Sequence, residues 1–295
     1  MRPSDPGPIY TINRFLHRRP DRALYHYTNS AGLIGIFESK TIWATSVYHL
    51  NDSEEYLHAY QLLRKEIARR RKDSTLLGQP ITEWLKEIED DDELRKKAQV
   101  FIASFSEKAD LLSQWRAYTR CDDAYSIGFT ADELKPAILA TRGLLVKCVY
   151  QPEEQELLLS NLLDYIYKHE LRLEKLRSPK SCGLIGRLSG VIVSVLAAMK
   201  NPSFEEEQEW RIVVGVDSRQ TTFFRSGRFG LVPFYKLPLM TDEHTRLIFS
   251  DVMIGSTRDR EAADFAVDQL IRRNAVPCKT SVRKLISYSQ SSLRA

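Results

Sequence analysis

Residues 204–214 read Phe-Glu-Glu-Glu-Gln-Glu-Trp-Arg-Ile-Val-Val, so an acidic run leads directly into an apolar one. The tryptophan and the β-branched residues after it predict a buried strand. If the acidic run is extended, Glu205, Glu207 and Glu209 share one face. A carboxylate at the head of a buried strand loses water, which raises its pKa and strengthens its attraction to a developing cation. The pattern equally fits a solvated acidic turn before an ordinary strand, so the surrounding segments must decide.

A first polar strand end is predicted near the N-terminus, where residues 23–28 read Ala-Leu-Tyr-His-Tyr-Thr. Their aromatic and β-branched bias predicts a strand, and Asn29 after it predicts the N-cap of a helix over residues 31–39. Another short strand is predicted at residues 41–46. His26 lies between two tyrosines in this compact unit, so it is either a ligand-binding group or a core histidine bonded to backbone.

A second polar strand end is predicted at residues 100–106, which read Val-Phe-Ile-Ala-Ser-Phe-Ser. Ser104 and Ser106 share one face of this strand because side chains alternate. Residues 111–118 follow as a short predicted helix. A functional site requires this strand end and the other two to meet in one cleft.

The whole pattern predicts one α+β domain over residues 23–289, with an irregular, proline-rich arm at residues 1–22 and a tail at residues 290–295. Helical insertions are predicted at about residues 53–99 and 153–200. The C-terminal part predicts a strand at 247–254, a helix at 258–274 and a closing strand at 282–287.

Composition is typical of a globular chain. The 295 residues carry a formal net charge of +4, a mild excess that neither requires nor excludes an anionic partner. No run approaches 18 apolar residues and the N-terminus lacks the apolar part of a secretory signal, so no membrane partner is expected. The four cysteines form no Cys-x-x-Cys pair, which favours reduced thiols and a cytoplasmic location.

Several enzyme classes lack their motifs in this chain. There is no Gly-x-Ser-x-Gly nucleophile, no Gly-x-x-x-x-Gly-Lys phosphate loop and no His-Glu-x-x-His zinc motif. The six histidines do not pair at metal-ligand spacing, and no metal is expected. A metal-dependent nuclease stays open as an alternative, because Asp52, Glu55, Glu207 and Glu209 would supply oxygen ligands for a cation.

Six short motifs carry a resemblance to a bacterial family. In chain order they are Tyr25-His26-Tyr27-Thr28, Trp43-Ala44-Thr45, Asn51-Asp52-x-x-Glu55, Ser104-Phe105-Ser106, Gln114-Trp115-x-x-Tyr118 and Glu207-x-Glu209-Trp210-Arg211. From about residue 23 to residue 287 the chain resembles the bacterial domain-of-unknown-function family 2971. That resemblance implies no activity, because the family is catalogued without one.

A more distant resemblance implies a mechanism. The Tyr-His-Tyr-Thr opening, the short helix and the Trp-Ala-Thr strand are similar to the opening of DNA-targeting ADP-ribosyltransferase toxins. Ser104-x-Ser106 and Glu207-x-Glu209 look like the Ser-x-Ser and Glu-x-Glu motifs of the wider ADP-ribosyltransferase superfamily. The resemblance implies an ADP-ribosyltransferase-like split β-sheet core that grips NAD, with α-helical insertions.

The same resemblance implies a role for individual residues. Glu209 would bind the nicotinamide ribose and stabilise an oxocarbenium-like transition state, and Glu207 would take the proton of an acceptor. His26 would hold the ribose, and either Tyr118 or Tyr125 would stack on nicotinamide. The implied cofactor-binding set is His26, Tyr27, Thr28, Ser104, Ser106, Arg116 and Tyr118.

The expected function is therefore NAD-dependent ADP-ribosyl transfer or NAD hydrolysis, in a toxin or phage-defence setting. NAD is the expected substrate, while the acceptor is left open between nucleic acid and protein, and the oligomeric state is open. The alternatives are a metal-dependent nucleic-acid hydrolase and a non-catalytic ligand-binding or sensor protein, in which the polar strand ends recognise a ligand or hold the fold together.

Overall fold

The computed structural model describes residues 7–50, 54–72, 99–118, 123–176, 190–216, 222–227, 230–240, 247, 249–274 and 282–291. These residues form a mixed α/β fold around an open ten-stranded sheet. The helices are α1 (Pro8–Leu16), α2 (Ser30–Ser39), α3 (Glu54–Lys72), α4 (Leu112–Tyr118), α5 (Ala131–Thr141), α6 (Pro152–Leu176), α7 (190–197) and α8 (Arg260–Asn274). The strands are β1 (Leu24–Thr28), β2 (Thr41–Ser46), β3 (Gln99–Ser106), β4 (Tyr125–Phe129), β5 (Leu144–Lys147), β6 (Glu209–Val216), β7 (Phe223–Gly227), β8 (Gly230–Pro238), β9 (Asp251–Ile254) and β10 (Ile286–Tyr288).

The sheet follows the order β10-β9-β4-β1-β3-β2-β8-β7, with β6 beside β3 and β5 beyond β6. The β9–β10 pair is parallel, and the other pairs described are antiparallel. β3 therefore has three neighbours, one more than the two edges of a strand normally accommodate.

The third neighbour is accommodated because β1 and β2 share one edge of β3. The other edge of β3 pairs with β6 along its whole length. On the shared edge, Tyr25 of β1 pairs with Ser106, while Thr45 and Ser46 of β2 pair with Ile102 and Phe101. Among the described strands, none pairs with residues 103–105 on that edge. The sheet is therefore split there, with a gap between β1 and β2.

Each face of the sheet buries its own apolar cluster. Phe101, Ala103 and Phe105 of β3 point to one face and pack with α2, α5 and α8. Val100 and Ile102 point to the other face and pack with α1, α3, α6 and α7. A smaller cluster of Tyr27, Trp115 and Ala124 covers part of this second face beside α4. The predicted helical insertions nevertheless supply much of the second cluster, through α3, α6 and α7.

Two predictions at the ends of the chain are wrong. The irregular N-terminal arm contains α1, whose Ile12 and Leu16 are buried in the second cluster. The proline bias misled the prediction because Pro8 occupies the first helical position, where its missing N–H costs nothing. The closing strand predicted at 282–287 begins instead as a 3₁₀ turn, and β10 runs from Ile286 to Tyr288.

The acidic run is not extended. Residues Pro202–Glu207 form a 3₁₀ helix, and Gln208 has a left-handed backbone with φ of 43° before β6 starts at Glu209. Glu205 and Glu206 are exposed, whereas Glu207 and Glu209 are buried. The expected alternation of three glutamates on one strand face is therefore wrong, although the strand itself is confirmed.

Other predictions are confirmed within a few residues, including β1, α2, β2, β3, α6 and α8. Residues 73–98 of the first predicted helical insertion and the Asn51-Asp52 segment lie outside the described residues. Among the helices described, none is both long and apolar enough to cross a membrane.

Candidate ligand-binding site

A cavity of about 390 Å³ opens at the gap between β1 and β2. Its volume lies in the range of about 300–1,000 Å³ that is typical of small-molecule sites. α2 borders it through Gly35 and Ile36, and α4 borders it from the other face of the sheet through Gln114 and Tyr118. Ala103 and Ser104, on the unpaired edge of β3, complete the wall, so the cavity follows from the split in the sheet.

His26 lines this cavity in one defined tautomer. Its Nδ1 lies 2.9 Å from the carbonyl oxygen of Ser104, which can only accept, so Nδ1 carries the proton. Burial lowers the pKa of the imidazole, and the charge of Arg225 lowers it further, against the opposing effect of the Ser104 bond. The ring is therefore mainly neutral at pH 7, and its Nε2 is an acceptor.

The two residues after His26 have different roles. Tyr27 lines the cavity, but its hydroxyl donates to the Lys108 carbonyl at 2.7 Å and accepts from the Leu111 amide at 3.0 Å. Its ring also packs edge-on against Trp115. Tyr27 therefore anchors the segment that leads into α4. Thr28 lines the cavity at the start of α2.

The two serines of β3 are separated by the end of the gap. Ser104 lines the cavity, whereas Ser106 is buried beyond it. The Ser106 hydroxyl donates to the Glu207 carbonyl at 2.6 Å and accepts from the Lys108 amide at 3.0 Å. Ser106 therefore holds the acidic turn in place and does not contact the cavity.

Of the residues predicted on α4, some line the cavity and one does not. Gln114 and Tyr118 lie one helical turn apart and both line the cavity. Arg116 is exposed on another side of the helix and is not among the residues of the wall. Tyr118 is 40% exposed, so part of its side chain is available to a ligand. Tyr125, the other candidate for stacking, lies on β4 outside the cavity wall.

The predicted catalytic glutamates form a buried ionic cluster with two cations. Lys200 Nζ bridges them, at 2.5 Å from Glu207 Oε2 and 2.6 Å from Glu209 Oε2. Arg211 binds both oxygens of Glu209, with Nε at 2.8 Å from Oε1 and Nη2 at 2.9 Å from Oε2. The Tyr150 hydroxyl accepts from the Glu209 amide at 2.8 Å. The cluster therefore fixes the position of the Glu209 carboxylate.

The same cations keep Glu209 ionised. Burial alone would raise the pKa of this carboxyl, but Arg211 and Lys200 together lower it to about 2. The carboxylate is 4% exposed and charged at neutral pH. This is the reverse of the raised carboxyl pKa that an isolated buried acid would show.

The ionic cluster lies next to the cavity but not on its wall. Ser106 pairs with Glu209, and Ser104, which is on the wall, pairs with Arg211. These side chains share one face of the sheet, where diagonal neighbours are about 7–8 Å apart. Desolvation and then the charge of Glu209 raise the pKa of Tyr118, which lines the cavity. Tyr118 is thus electrostatically linked to Glu209.

Sequence reasoning missed three cations and assigned no role to Trp43. Trp43 lines the cavity, is 39% exposed and stacks on Phe234 at 4.3 Å. Arg225 of β7 lines it too. The contact between Arg211 and Glu209 could have been predicted from the sequence, because residues two positions apart lie on the same face of a strand. Arg225 and Lys200 carry no comparable signal, since only pairing across the sheet or between turns brings them to the site.

The described residues do not support a metal centre at the glutamates. Lys200 and Arg211 occupy the positions where a cation would bind, and the described part of the chain contains no group of three or more His, Cys, Asp or Glu suited to a metal. Asp52 and the side chain of Glu55 lie outside what is described. Cys148 is buried.

Comparison with known proteins adds a family but no activity. A model of the family described as "Protein of unknown function (DUF2971)" matches residues 114–212, about a third of the chain. The match runs from α4 to β6 and includes the ionic cluster, which supports the family resemblance over this part of the chain. No curated protein and no solved structure matches.

Proposed function

We propose that this chain cleaves the bond between nicotinamide and ribose in NAD, as an ADP-ribosyltransferase or NAD glycohydrolase with an ADP-ribosyltransferase-like core. One observation carries the proposal. The split between β1 and β2 opens a cavity where His26, Ser104 and Tyr118 meet, with the ionised Glu209 in the neighbouring residue pair of the same sheet face. Hydrolysis of NAD, or transfer of its ADP-ribosyl group to an acceptor, would suit a toxin or phage-defence protein.

The chemistry requires a fixed negative charge near the reacting carbon. When the bond from ribose C1′ to the nicotinamide nitrogen breaks, its electron pair leaves with nicotinamide and C1′ becomes cationic. A carboxylate held in place beforehand stabilises that charge without reorganising. Glu209 is a fixed and ionised carboxylate because Arg211 and Lys200 hold it. The proposal places C1′ at the end of the cavity nearest to it.

The remaining residues have complementary roles in this proposal. Tyr118 is the stacking surface for nicotinamide, and the Nε2 acceptor of neutral His26 accepts a hydrogen bond from a ribose hydroxyl. Glu207, joined to Glu209 through Lys200, takes the proton that the acceptor loses as its oxygen or nitrogen bonds to C1′. With water as the acceptor the product is free ADP-ribose.

The test is nicotinamide release by purified protein from NAD, with water alone and with nucleic acids or proteins added as acceptors. Glu209→Gln should lower the rate by about 100-fold or more, because it removes a charge aimed at the transition state. Glu206→Gln changes an exposed neighbour and should keep the wild-type rate. The proposal would be rejected if wild type released no nicotinamide with water or with any added acceptor. It would also be rejected if folded Glu209→Gln released nicotinamide at the wild-type rate.

One observation favours a second candidate, a non-catalytic NAD-binding or sensor protein. Lys200 binds both Glu207 and Glu209, and Arg211 binds Glu209. Neither glutamate is on the cavity wall. In that case NAD should raise the melting temperature through preferential binding to the folded state, with no nicotinamide released. Stabilisation by Mn²⁺ in place of NAD would instead point to a metal-dependent hydrolase.

A further inference from the structure

Arg225 is a cation on the cavity wall that no motif assigns. It lies on the edge strand β7, is exposed, and lines the cavity beside Ser226. Its Nη2 donates to Thr45 Oγ1 of β2 at 3.1 Å. Among the described residues, no carboxylate forms an ion pair with its guanidinium.

The cavity wall carries positive charge with no matching negative charge. Arg225 supplies that charge, and none of the described residues on the wall is an aspartate or a glutamate. The charge of Arg225 reaches across the cavity, since after burial it contributes to the lowered pKa of His26. A cation without an acidic partner in a partly dehydrated cavity attracts an anionic group of a ligand.

The geometry of a guanidinium narrows the choice of anion. Its five N–H donors form a planar fork that binds two oxygens of a phosphate or carboxylate in parallel. Thr45 accepts from one of these donors and so orients the fork, while the other donors stay available to a ligand. Trp43, exposed on the same wall, adds an aromatic surface of the kind that nucleotides stack on.

We propose that Arg225, oriented by Thr45, binds a phosphate or diphosphate group of a nucleotide at the β2–β7 end of the cavity. For the identity of the ligand the inference rests on the proposed function. The diphosphate of NAD joins the nicotinamide ribose to adenosine. With the diphosphate bound at Arg225, the nicotinamide ribose extends along the cavity toward Tyr118 and Glu209.

The test is isothermal titration of the full chain with ADP and with adenosine. Wild type should bind ADP at least about tenfold more tightly than adenosine. Arg225→Gln should weaken ADP binding by about 10- to 100-fold, the range of a charge-assisted hydrogen bond, and leave adenosine binding unchanged. Arg273→Gln, an exposed arginine on α8, is the matched control and should bind ADP as wild type does.

A milder variant keeps the anion site testable if Arg225→Gln does not fold. Thr45→Val keeps the shape of the side chain and removes the hydroxyl that orients the fork, so it should weaken ADP binding by about 2- to 10-fold. Equal affinity of wild type for ADP and adenosine would overturn the anion site. So would unchanged ADP affinity in both the Arg225 and the Thr45 variants.

The two proposals fail in distinguishable ways. If ADP binds through Arg225 but wild type releases no nicotinamide from NAD, the anion site is supported and the proposal of NAD cleavage is rejected. If wild type and folded Arg225→Gln cleave NAD with the same KM and kcat, NAD cleavage stands and the anion site falls.

Discussion

Glu209 connects stability and proposed chemistry in a single side chain. Its carboxylate is buried and held by Arg211 and Lys200, which is also the ionised, immobile state that stabilisation of a cationic transition state requires. A buried ion pair adds little net stability, but removing one partner leaves the other charges buried without compensation. Substitution of Glu209 must therefore be tested for folding as well as for turnover.

Acid should weaken the fold through Glu209. The pKa of this carboxyl is about 2 in the folded protein against an ordinary value of 4.5. Its contribution is therefore fully present above pH 4.5 and is lost as the pH falls toward 2. The difference corresponds to about 3 kcal/mol. The free energy of unfolding in urea, measured between pH 7 and pH 3, should show the start of this loss.

Two variants identify the group responsible. Glu209→Gln does not titrate, so its free energy of unfolding should lie about 3 kcal/mol below wild type at pH 7 and approach wild type as the pH falls below 4.5. Glu206→Gln should follow the wild-type curve throughout. Parallel curves for wild type and Glu209→Gln would show that another group causes the acid dependence.

Among the elements, α2 borders the cavity partly through two glycines, Gly32 and Gly35. Its N-cap Asn29 accepts from the Gly32 amide at 2.9 Å. A Cβ at Gly32 would lie 1.9 Å from the Thr28 hydroxyl, so a side chain there would force Thr28 to move. A Cβ at Gly35 would meet no atom within 4 Å and would enter the cavity.

Gly35→Leu should therefore weaken ADP binding without harming the fold. Replacing a glycine within a helix stabilises it by about 0.5–1 kcal/mol, so the free energy of unfolding should stay equal or rise. Titration calorimetry with ADP checks the first effect and urea unfolding the second. Gly190→Leu, at another helical position where a Cβ meets open space, should keep wild-type affinity. Full ADP affinity in Gly35→Leu would exclude α2 from the ligand site.

Across the whole molecule, the second apolar cluster joins α1 to the sheet that carries the site. Ile12 is completely buried in this cluster with Ile102 of β3 and Val213 of β6. The serines and the ionic cluster lie on the same face of these two strands. The cover over that face is therefore also part of what holds the site together.

Ile12→Ala should lower the stability of the sheet as well as that of α1. Loss of a buried isoleucine side chain costs about 2–5 kcal/mol. Unfolding followed by the fluorescence of Trp115 and Trp210, both buried outside this cluster, should shift to lower urea. Tyr10→Ala, on the exposed side of α1, should leave the midpoint unchanged. An unshifted tryptophan transition in Ile12→Ala would show that α1 unfolds separately.

Local patterns were enough to predict many elements and part of the site. The stretch of residues 100–106 predicted β3, and Asn29 predicted the start of α2, because both signals arise between residues close in sequence. The same local logic singled out His26, Ser104 and Tyr118, which the cavity does bring together. It failed at the acidic run, where the left-handed Gln208 breaks the alternation that neighbouring residues suggested.

The sequence by itself determined the mixed α/β composition, most strand positions and the polar residues at the strand ends. Only the tertiary structure decided that β1 and β2 diverge along one edge of β3, which creates the cavity and separates Ser104 from Ser106. Tertiary structure also decided that Lys200 and Arg211 hold Glu209 and that Arg225 reaches the wall. Alternation and capping depend on residues a few positions apart, whereas strand pairing and buried charge compensation depend on groups that meet only when the chain folds.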